Sequence, residues 1–410
     1  MSNTRDAHEK ALKCIRCGFC LEDCPTFVLT GSEAESPRGR IYLIRTAIEN
    51  GRWSEEMRPH IERCLGCRAC ETACPSGVEY GYLLETARER LWEASSPSWL
   101  RRVALKVTLI VLTRPRLLRS ARRVLSALGL KRPPGLVSHA LFGAPAEASF
   151  PRPEMRSAVA AEEFPPPTRT AFFLQGCVMS ALFERSNEAT VRLMRRHACE
   201  VDAVEGSLCC GALHRHQGMA EEAKRKARAL IRRCRGDAPV VVNSAGCGSA
   251  MKEYGHWFAD DEDMAEQASQ FSRRVLDICE WLKSVGFRPP EGTRAPVLVA
   301  YHDACHLAHG QGVRRQPREL LSSVPGIQLV PLSESDRCCG SAGVYNVLQP
   351  EMARALLERK WGAIEASGAE VVVAGNPGCI AWLRQAAEEH GSPIRVVHTV
   401  EALLGEGVVG

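Results

Sequence analysis

The sequence predicts a multidomain α+β protein: a helical N-terminal domain built around two cysteine runs, followed by two copies of an α/β unit. Three observations lead there. The run Cys-x2-Cys-x2-Cys-x3-Cys-Pro occurs twice, at Cys14, Cys17, Cys20, Cys24-Pro25 and at Cys64, Cys67, Cys70, Cys74-Pro75. A second pattern (a lone Cys, then Cys-Cys-Gly, then another Cys) also occurs twice, at Cys177, Cys209-Cys210-Gly211, Cys247 and at Cys305, Cys338-Cys339-Gly340, Cys379. Around it, apolar strand-like runs alternate with helix-like stretches in the same order in both halves. Sixteen of the 19 cysteines fall into these patterns.

Residues 1–95 form the first predicted domain. Ile41, Ile44 and Ile48 recur at helical spacing before Gly51, a natural stop, and Leu83, Leu84, Ala87 and Leu91 mark another helix after Cys74-Pro75. Residues 96–168 come next. Trp99, Val103, Val107 and Ile110 make one apolar stripe and Leu117, Ala121, Val124, Leu125 and Leu128 another, with Arg101, Arg102, Lys106, Arg116, Arg119, Arg122 and Arg123 off them. These read as two basic amphipathic helices, lying either on anionic lipid or on a partner subunit. The Pro-, Ala- and Gly-rich stretch from Lys131 to Thr168 reads as a linker. The α/β units span 169–292 and 293–410. Strands are predicted at Ala171–Leu174, Pro239–Val242, Val297–Ala300, Ile327–Val330 and Val371–Ala374, with mainly parallel pairing. Most motif cysteines then sit just past strand ends, where open α/β sheets gather ligands.

Composition sets the outer bounds. The chain has 410 residues, 45% hydrophobic and 25% charged, as in a globular protein with two or three cores. The polar start, Met1–Lys13, suggests no signal peptide, and no stretch approaches the roughly 18 apolar residues of a spanning helix. The expectation is a cytoplasmic protein, where clustered cysteines are metal ligands more often than disulfides. Ten bases and no acids lie between Pro97 and Arg132, so the whole-chain charge of +5 becomes −5 without them. That concentrates the basicity on one surface and argues against a nucleic-acid binder.

The first pattern suits a cubane [4Fe–4S] cluster. Its short spacings wrap three thiolates around one face, and the fourth comes from elsewhere; in two-cluster proteins it comes from the other run. One cluster then takes Cys14, Cys17, Cys20 and Cys74, the other Cys64, Cys67, Cys70 and Cys24. Zinc, which prefers two Cys-x2-4-Cys pairs, fits the triple loop poorly. In the second pattern, adjacent cysteines suit a cluster with several metal corners better than one ion. Gly211 and Gly340 permit close backbone approach. His302, Asp303 and His306 flank Cys305 as hydrogen-bond donors to sulfur or extra ligands.

The second pattern resembles the CCG domain of heterodisulfide reductases. In that family a final Cys-x2-Cys completes a five-cysteine cluster, but here Ser244 and Asn376 stand in place of its first cysteine. Four thiols per repeat remain, for a further cluster, another metal, or a scaffold with vestigial thiols. The whole layout resembles the iron–sulfur subunit of glycolate oxidase, carried also by Ser36–Ile41 (SPRGRI), Tyr301–Gln311 (YHDACHLAHGQ), Ser335–Asn346 (SDRCCGSAGVYN) and Gly375–Cys379 (GNPGC). The resemblance implies partner subunits that carry FAD and oxidise glycolate to glyoxylate, with electrons passing through this chain towards a membrane, quinone-linked acceptor. Iron–sulfur subunits of lactate-utilisation and glycerol-3-phosphate dehydrogenases share the layout.

The chain itself shows no GxGxxG fingerprint and no nucleophile–base pair, so an electron relay is favoured over a disulfide-reductase-type catalyst or a zinc scaffold. Cys199, Cys234 and Cys279 read as buried small hydrophobes within helices. His197, His214, His216 and His309 read as hydrogen-bonded or surface residues, and Trp257, Trp281 and Trp361 as packing. Arg16, Arg38, Arg40 and Arg68 read either as partners of anionic clusters or docking groups, or as solvated surface.

Overall fold

A computed structural model of the chain describes residues 2–94, 99–127, 162–204 and 208–408. Most of the expected linker, residues 131–161, lies outside the described residues, as does Leu128.

The N-terminal domain is helical, with α1 (Ser2–Leu12), α2 (Pro25–Thr30), α3 (Pro37–Glu49), α4 (Arg58–Glu62), α5 (Ala69–Thr72) and α6 (Tyr80–Ala94) in chain order. Ser36 caps helix α3 (Pro37–Glu49) by accepting from the Gly39 N–H, with Pro37 at the first turn where its missing donor costs nothing. Gly51, at φ +62°, ends it. Ile41 and Ile44 point inward against α1 (Ser2–Leu12) and against Leu83, Leu84, Ala87 and Leu91 of α6 (Tyr80–Ala94), all buried. Two further helices follow, α7 (Trp99–Leu112) and α8 (Pro115–Ala127). Their expected stripes do not face the protein: Trp99, Val103, Val107 and Ile110 on α7, and Leu117 and Val124 on α8, are exposed. Leu109, Leu112 and Leu118 are buried instead. Each helix therefore has two apolar faces, and only one is covered by the described residues.

The rest is two four-stranded, wholly parallel sheets, as the strand–helix alternation predicts. The first holds β1 (Arg169–Leu174), β2 (Cys199–Val204), β3 (Val240–Val242) and β4 (Val275–Asp277) in the order β2-β1-β3-β4. The second holds β5 (Val297–His302), β6 (Ile327–Val330), β7 (Val371–Ala374) and β8 (Arg395–His398) in the order β6-β5-β7-β8. The structure adds β2, where the sequence shows only a short extended piece before Cys209, and the short outer strands β4 and β8. Alternate side chains divide between layers: Phe173, Val241, Val299, Tyr301 and Val373 share one core common to both repeats, while Leu174, Val240 and Val242 face a core of the first repeat alone. Cys199 opens strand β2 rather than lying in a helix, and Cys234 caps the helix Ala220–Arg233; with Cys279 they are buried.

The order in which successive strands are laid down reverses in each sheet at its central pair, β1/β3 and β5/β7. Such switch points open a crevice at the carboxyl ends of the strands. Cys177 and Cys247 follow β1 and β3, and Cys305 and Cys379 follow β5 and β7. The Cys-Cys-Gly turns come in beside them. Gly211 and Gly340 adopt φ of +82° and +88°, and a Cβ would lie 2.9 Å from the Ala223 carbonyl oxygen at Gly211 and 2.6 Å from that of Ala353 at Gly340. Both turns are pressed against the next helix too closely for a side chain. Gly340→Ala is therefore expected to destabilise the protein by about 2 kcal/mol through overpacking and left-handed strain. Gly391→Ala, at φ +58° but in open space, should cost less. Denaturant unfolding of the two variants checks the difference.

Candidate metal centres

The two cysteine runs fold into two adjacent hollows. Cys14, Cys17, Cys20 and Cys74 line one, with Cys70 at its edge; Cys24, Cys64, Cys67 and Cys70 line the other. In each loop the residues flanking the middle cysteine take left-handed conformations: Arg16 (φ +59°) and Gly18 (φ +89°) around Cys17, Gly66 (φ +68°) and Arg68 (φ +64°) around Cys67. Two left-handed residues roll each loop so that its thiols converge, and non-glycine residues accept strain there. Exposure is graded. Cys17 is exposed, Cys14, Cys20 and Cys74 are half-buried, and Cys24, Cys64, Cys67 and Cys70 are buried.

Burial pushes the Cys20 thiol up to about 11. Cys67 and Cys70 are pushed well above the usual thiol range, first by burial and then by neighbouring sulfurs, Cys305 among them for Cys67. Thiols so placed release their protons only to a cation among them. Four convergent soft donors in each hollow fit an iron–sulfur cluster.

A fixed positive charge sits beside the inner set. Arg40 is 1% exposed and pairs with the equally buried Glu35 at 2.8 Å. It also donates to Thr26 Oγ1 at 3.0 Å and to the His60 carbonyl at 2.7 Å. Burial works against its charge, but Cys64, Tyr80, Cys24 and Glu35 outweigh that and raise its pKa. Glu35 is in turn held by Arg63 and His60 at 2.8 and 2.7 Å. Arg40 is thus neither surface nor docking group. Arg68 bridges Glu71 and Glu253, Arg38 pairs with Glu33, and Arg16 lies over the Tyr42 ring.

All eight cysteines of the second pattern line a single cavity of about 180 Å³, together with Cys64. The repeats meet there. The Ala245 N–H donates to the Gly375 carbonyl at 3.0 Å, the Gly246 N–H to Asn376 Oδ1 at 3.2 Å, and His398 Nε2 donates to the Asn243 carbonyl at 2.9 Å. Cys177 and Cys209 Sγ are 3.6 Å apart, and Asn376 Nδ2 donates to Cys379 Sγ at 3.5 Å. The N-terminal domain closes the cavity with Ile61, Leu65 and Trp92, and α7 adds Leu105. It is clamped by Arg215, which pairs with Glu85 and Glu89 at 2.8 and 2.7 Å, by the Tyr345 hydroxyl donating to the Arg63 carbonyl at 2.8 Å, and by His306 Nε2 donating to the Gly66 carbonyl at 3.0 Å.

The flanking residues separate by role. Asp303 takes a two-pronged pair from Arg318 at 2.6 Å, and His306 spans to the other domain, so neither serves sulfur. His197 is satisfied by the Leu193 carbonyl and the Arg288 N–H; His309 bridges Thr72 and Asp336. His214 is buried, and His216 lines the cavity edge-on to the His306 ring. Trp257, Trp281 and Trp361 are buried packing residues.

The 4Fe-4S dicluster domain family matches residues 10–78, and the cysteine-rich domain family matches twice, at 171–252 and 299–384. "Probable glycolate oxidase iron-sulfur subunit" of Bacillus subtilis (strain 168) is 35% identical, over 96% of this chain and 93% of its own. The glycolate oxidase iron-sulfur subunit of Escherichia coli (strain K12) is 33% identical, over 91% and 89%. This chain belongs to the family of glycolate oxidase iron–sulfur subunits. Lactate utilization protein A of Oceanobacillus iheyensis is 31% identical but matches only 55% of this chain, over 93% of its own length. The family and its two domain types make this an iron–sulfur protein of an oxidoreductase complex.

The network around Arg40 generates a prediction. Arg40→Met leaves Glu35 short of its buried partner and should destabilise the protein by about 3 kcal/mol. Arg63 and His60 still hold the carboxylate, which keeps the loss near the lower end. Denaturant unfolding under anaerobic conditions checks it.

Proposed function

We propose that this chain is the electron-transfer subunit of a flavin-dependent glycolate dehydrogenase, receiving electrons from partner subunits that carry FAD and passing them towards a membrane acceptor. Cys14, Cys17, Cys20 and Cys74 would hold one [4Fe–4S] cluster, and Cys64, Cys67, Cys70 and Cys24 the other. Cys177, Cys209, Cys210 and Cys247 of the first repeat and Cys305, Cys338, Cys339 and Cys379 of the second would hold further metal. The clusters supply one-electron transfer between a two-electron flavin and its acceptor. The chain's own residues set the spacing, exclude water and balance charge.

One observation carries the reading: the thiol sets lie in series from surface to interior. Cys17 is at the surface, Cys67 is buried behind it and Cys64 lines the repeat cavity. Around Cys17, Ile15 and Phe19 are 69% and 68% exposed, with exposed Leu12 and Tyr42 nearby. An apolar collar around the outermost thiol set suits a protein partner that must approach it closely. Glycolate is preferred over lactate because the glycolate oxidase relatives match along nearly the whole chain, whereas the lactate utilization relative matches about half.

The acceptor side is assigned to α7 and α8. Their uncovered stripes carry Trp99, Val103, Val107 and Ile110, with Lys106, Arg114, Arg116 and Arg123 exposed around them. Apolar side chains beside bases with no acids suit an anionic bilayer surface. No helix among the described residues is long and apolar enough to cross a membrane, which leaves contact with its surface.

Two outcomes test this. In the assembled complex, Cys67→Ser should leave glycolate-driven bleaching of the flavin intact and abolish most acceptor reduction; unchanged acceptor turnover rejects the relay. The purified chain should sediment with phosphatidylglycerol vesicles at low salt, release at high salt and ignore phosphatidylcholine. Val107→Glu should weaken the sedimentation; equal binding to both vesicle types rejects the lipid assignment.

A further inference from the structure

His302 stands among the repeat cysteines with one ring nitrogen unspent. It ends strand β5 and is fully buried. Its Nδ1 is 3.1 Å from the Ser335 carbonyl, so Nδ1 carries the proton and Nε2 presents a lone pair. Nε2 is buried with no nitrogen or oxygen partner among the described residues, and the ring lies within hydrogen-bonding reach of the Cys339 thiol. A ring nitrogen of His302 and the Cys339 and Cys379 sulfurs lie within 4.8 Å of one another. Two sulfurs on one tetrahedral ion stand roughly 3.8 Å apart, given metal–sulfur bonds of about 2.3 Å. The three donors are therefore near the spacing that one metal centre imposes. A ring whose other nitrogen donates to a backbone carbonyl is also how metal-bound imidazoles are oriented.

Among the described residues, the first repeat brings no histidine together with two sulfurs at that spacing. His214 Nδ1 is also buried without a partner, but it joins no such set. The residue three before Cys177, as His302 is three before Cys305, is Leu174, packed in the first repeat's core.

We propose that His302 Nε2 is a metal ligand, joining Cys339 and Cys379 in a mixed imidazole–thiolate set that the second repeat has and the first lacks. Such a set takes a borderline-soft metal, iron of a cluster or zinc. The inference needs neither the partner subunits nor the substrate. A neutral imidazole adds no negative charge, as a further thiolate would, which favours the reduced form of an iron centre.

The test uses the full chain, purified anaerobically after growth with iron. Metal analysis and X-ray absorption at the iron and zinc edges identify the metal. The expected result is nitrogen in its coordination shell, with imidazole nitrogen couplings in pulsed paramagnetic resonance if it is iron. His302→Ala should lose that nitrogen and lower the metal content, while His302→Cys should restore the metal with an all-sulfur shell. The paramagnetic signals of the N-terminal clusters report folding of the variants. Their absence from the wild-type chain would strike the relay reading and leave this one standing. If wild type shows no nitrogen around its metal, or His302→Ala keeps wild-type metal content and spectrum, the assignment is overturned. Should the alanine variant not fold, the wild-type nitrogen signature alone decides.

Discussion

Packing sulfur away from water in groups of four is the constraint around which this molecule is built. A buried thiol resists losing its proton, and each added sulfur makes the next loss harder, as the upward shifts at Cys67 and Cys70 show. A cation at the centre of each group reverses the balance. The protein adds a fixed cation of its own, Arg40, beside Cys24 and Cys64. A bare guanidinium could not remain there. Glu35 neutralises it, Arg63 and His60 hold Glu35, and Thr26 and the His60 carbonyl take two more of its donors. A connected network thus supports one charge next to one thiol set.

The repeats meet the same constraint by topology. A parallel sheet offers one crevice, at its switch point, and each repeat places two of its cysteines there. Joining the crevices through the backbone bonds of Ala245 and Gly246 turns two open clefts into one chamber. The N-terminal domain then serves as its lid. The clamps on that lid are mostly ionic and at least half-buried: Arg215 with Glu85 and Glu89, Arg68 with Glu253. Such pairs add little net stability against apolar packing, but a misplaced lid would strand their charges. Precise seating matters here because Cys64 belongs to one domain and lines the chamber of the other.

Much of this was legible from residue spacing. Period-3.6 isoleucines and leucines located α3 and α6, and apolar runs located most of the strands, because both are local signals. What spacing could not show was direction. Trp99, Val103, Val107 and Ile110 form a helical stripe, yet they face outward while Leu109 and Leu112 face in; an apolar stripe says that something covers it, not what. Arg40 looked like any arginine of a basic loop until the fold buried it. Strands β4 and β8 are short and lie at sheet edges, so tertiary pairing makes them. Cys199 sits in a strand because the chain turns at Ala198, held at φ +54°, and no local pattern announced that turn. Near Cys305, only three-dimensional bookkeeping separates three polar neighbours: Asp303 goes to Arg318, His306 to Gly66, and His302 keeps a lone pair unspent.

Duplication explains why the repeats look alike; their differences would bear on the proposed electron flow. Two copies with identical donors would sit at similar potentials and give an electron no preferred place to rest. Here the copies differ at the residue preceding the last cysteine by three, Ser244 against Asn376, whose amide reaches Cys379 Sγ at 3.5 Å. They differ again at Leu174 against His302, apolar in one and a nitrogen donor in the other. At an iron centre, a hydrogen bond to sulfur and a neutral imidazole donor, in place of a further thiolate, would both favour the reduced state. Both changes fall in the same repeat, the one whose Cys305 lies near Cys67. The chamber is therefore asymmetric, with both substitutions gathered on the side against which the inner N-terminal thiol set is packed.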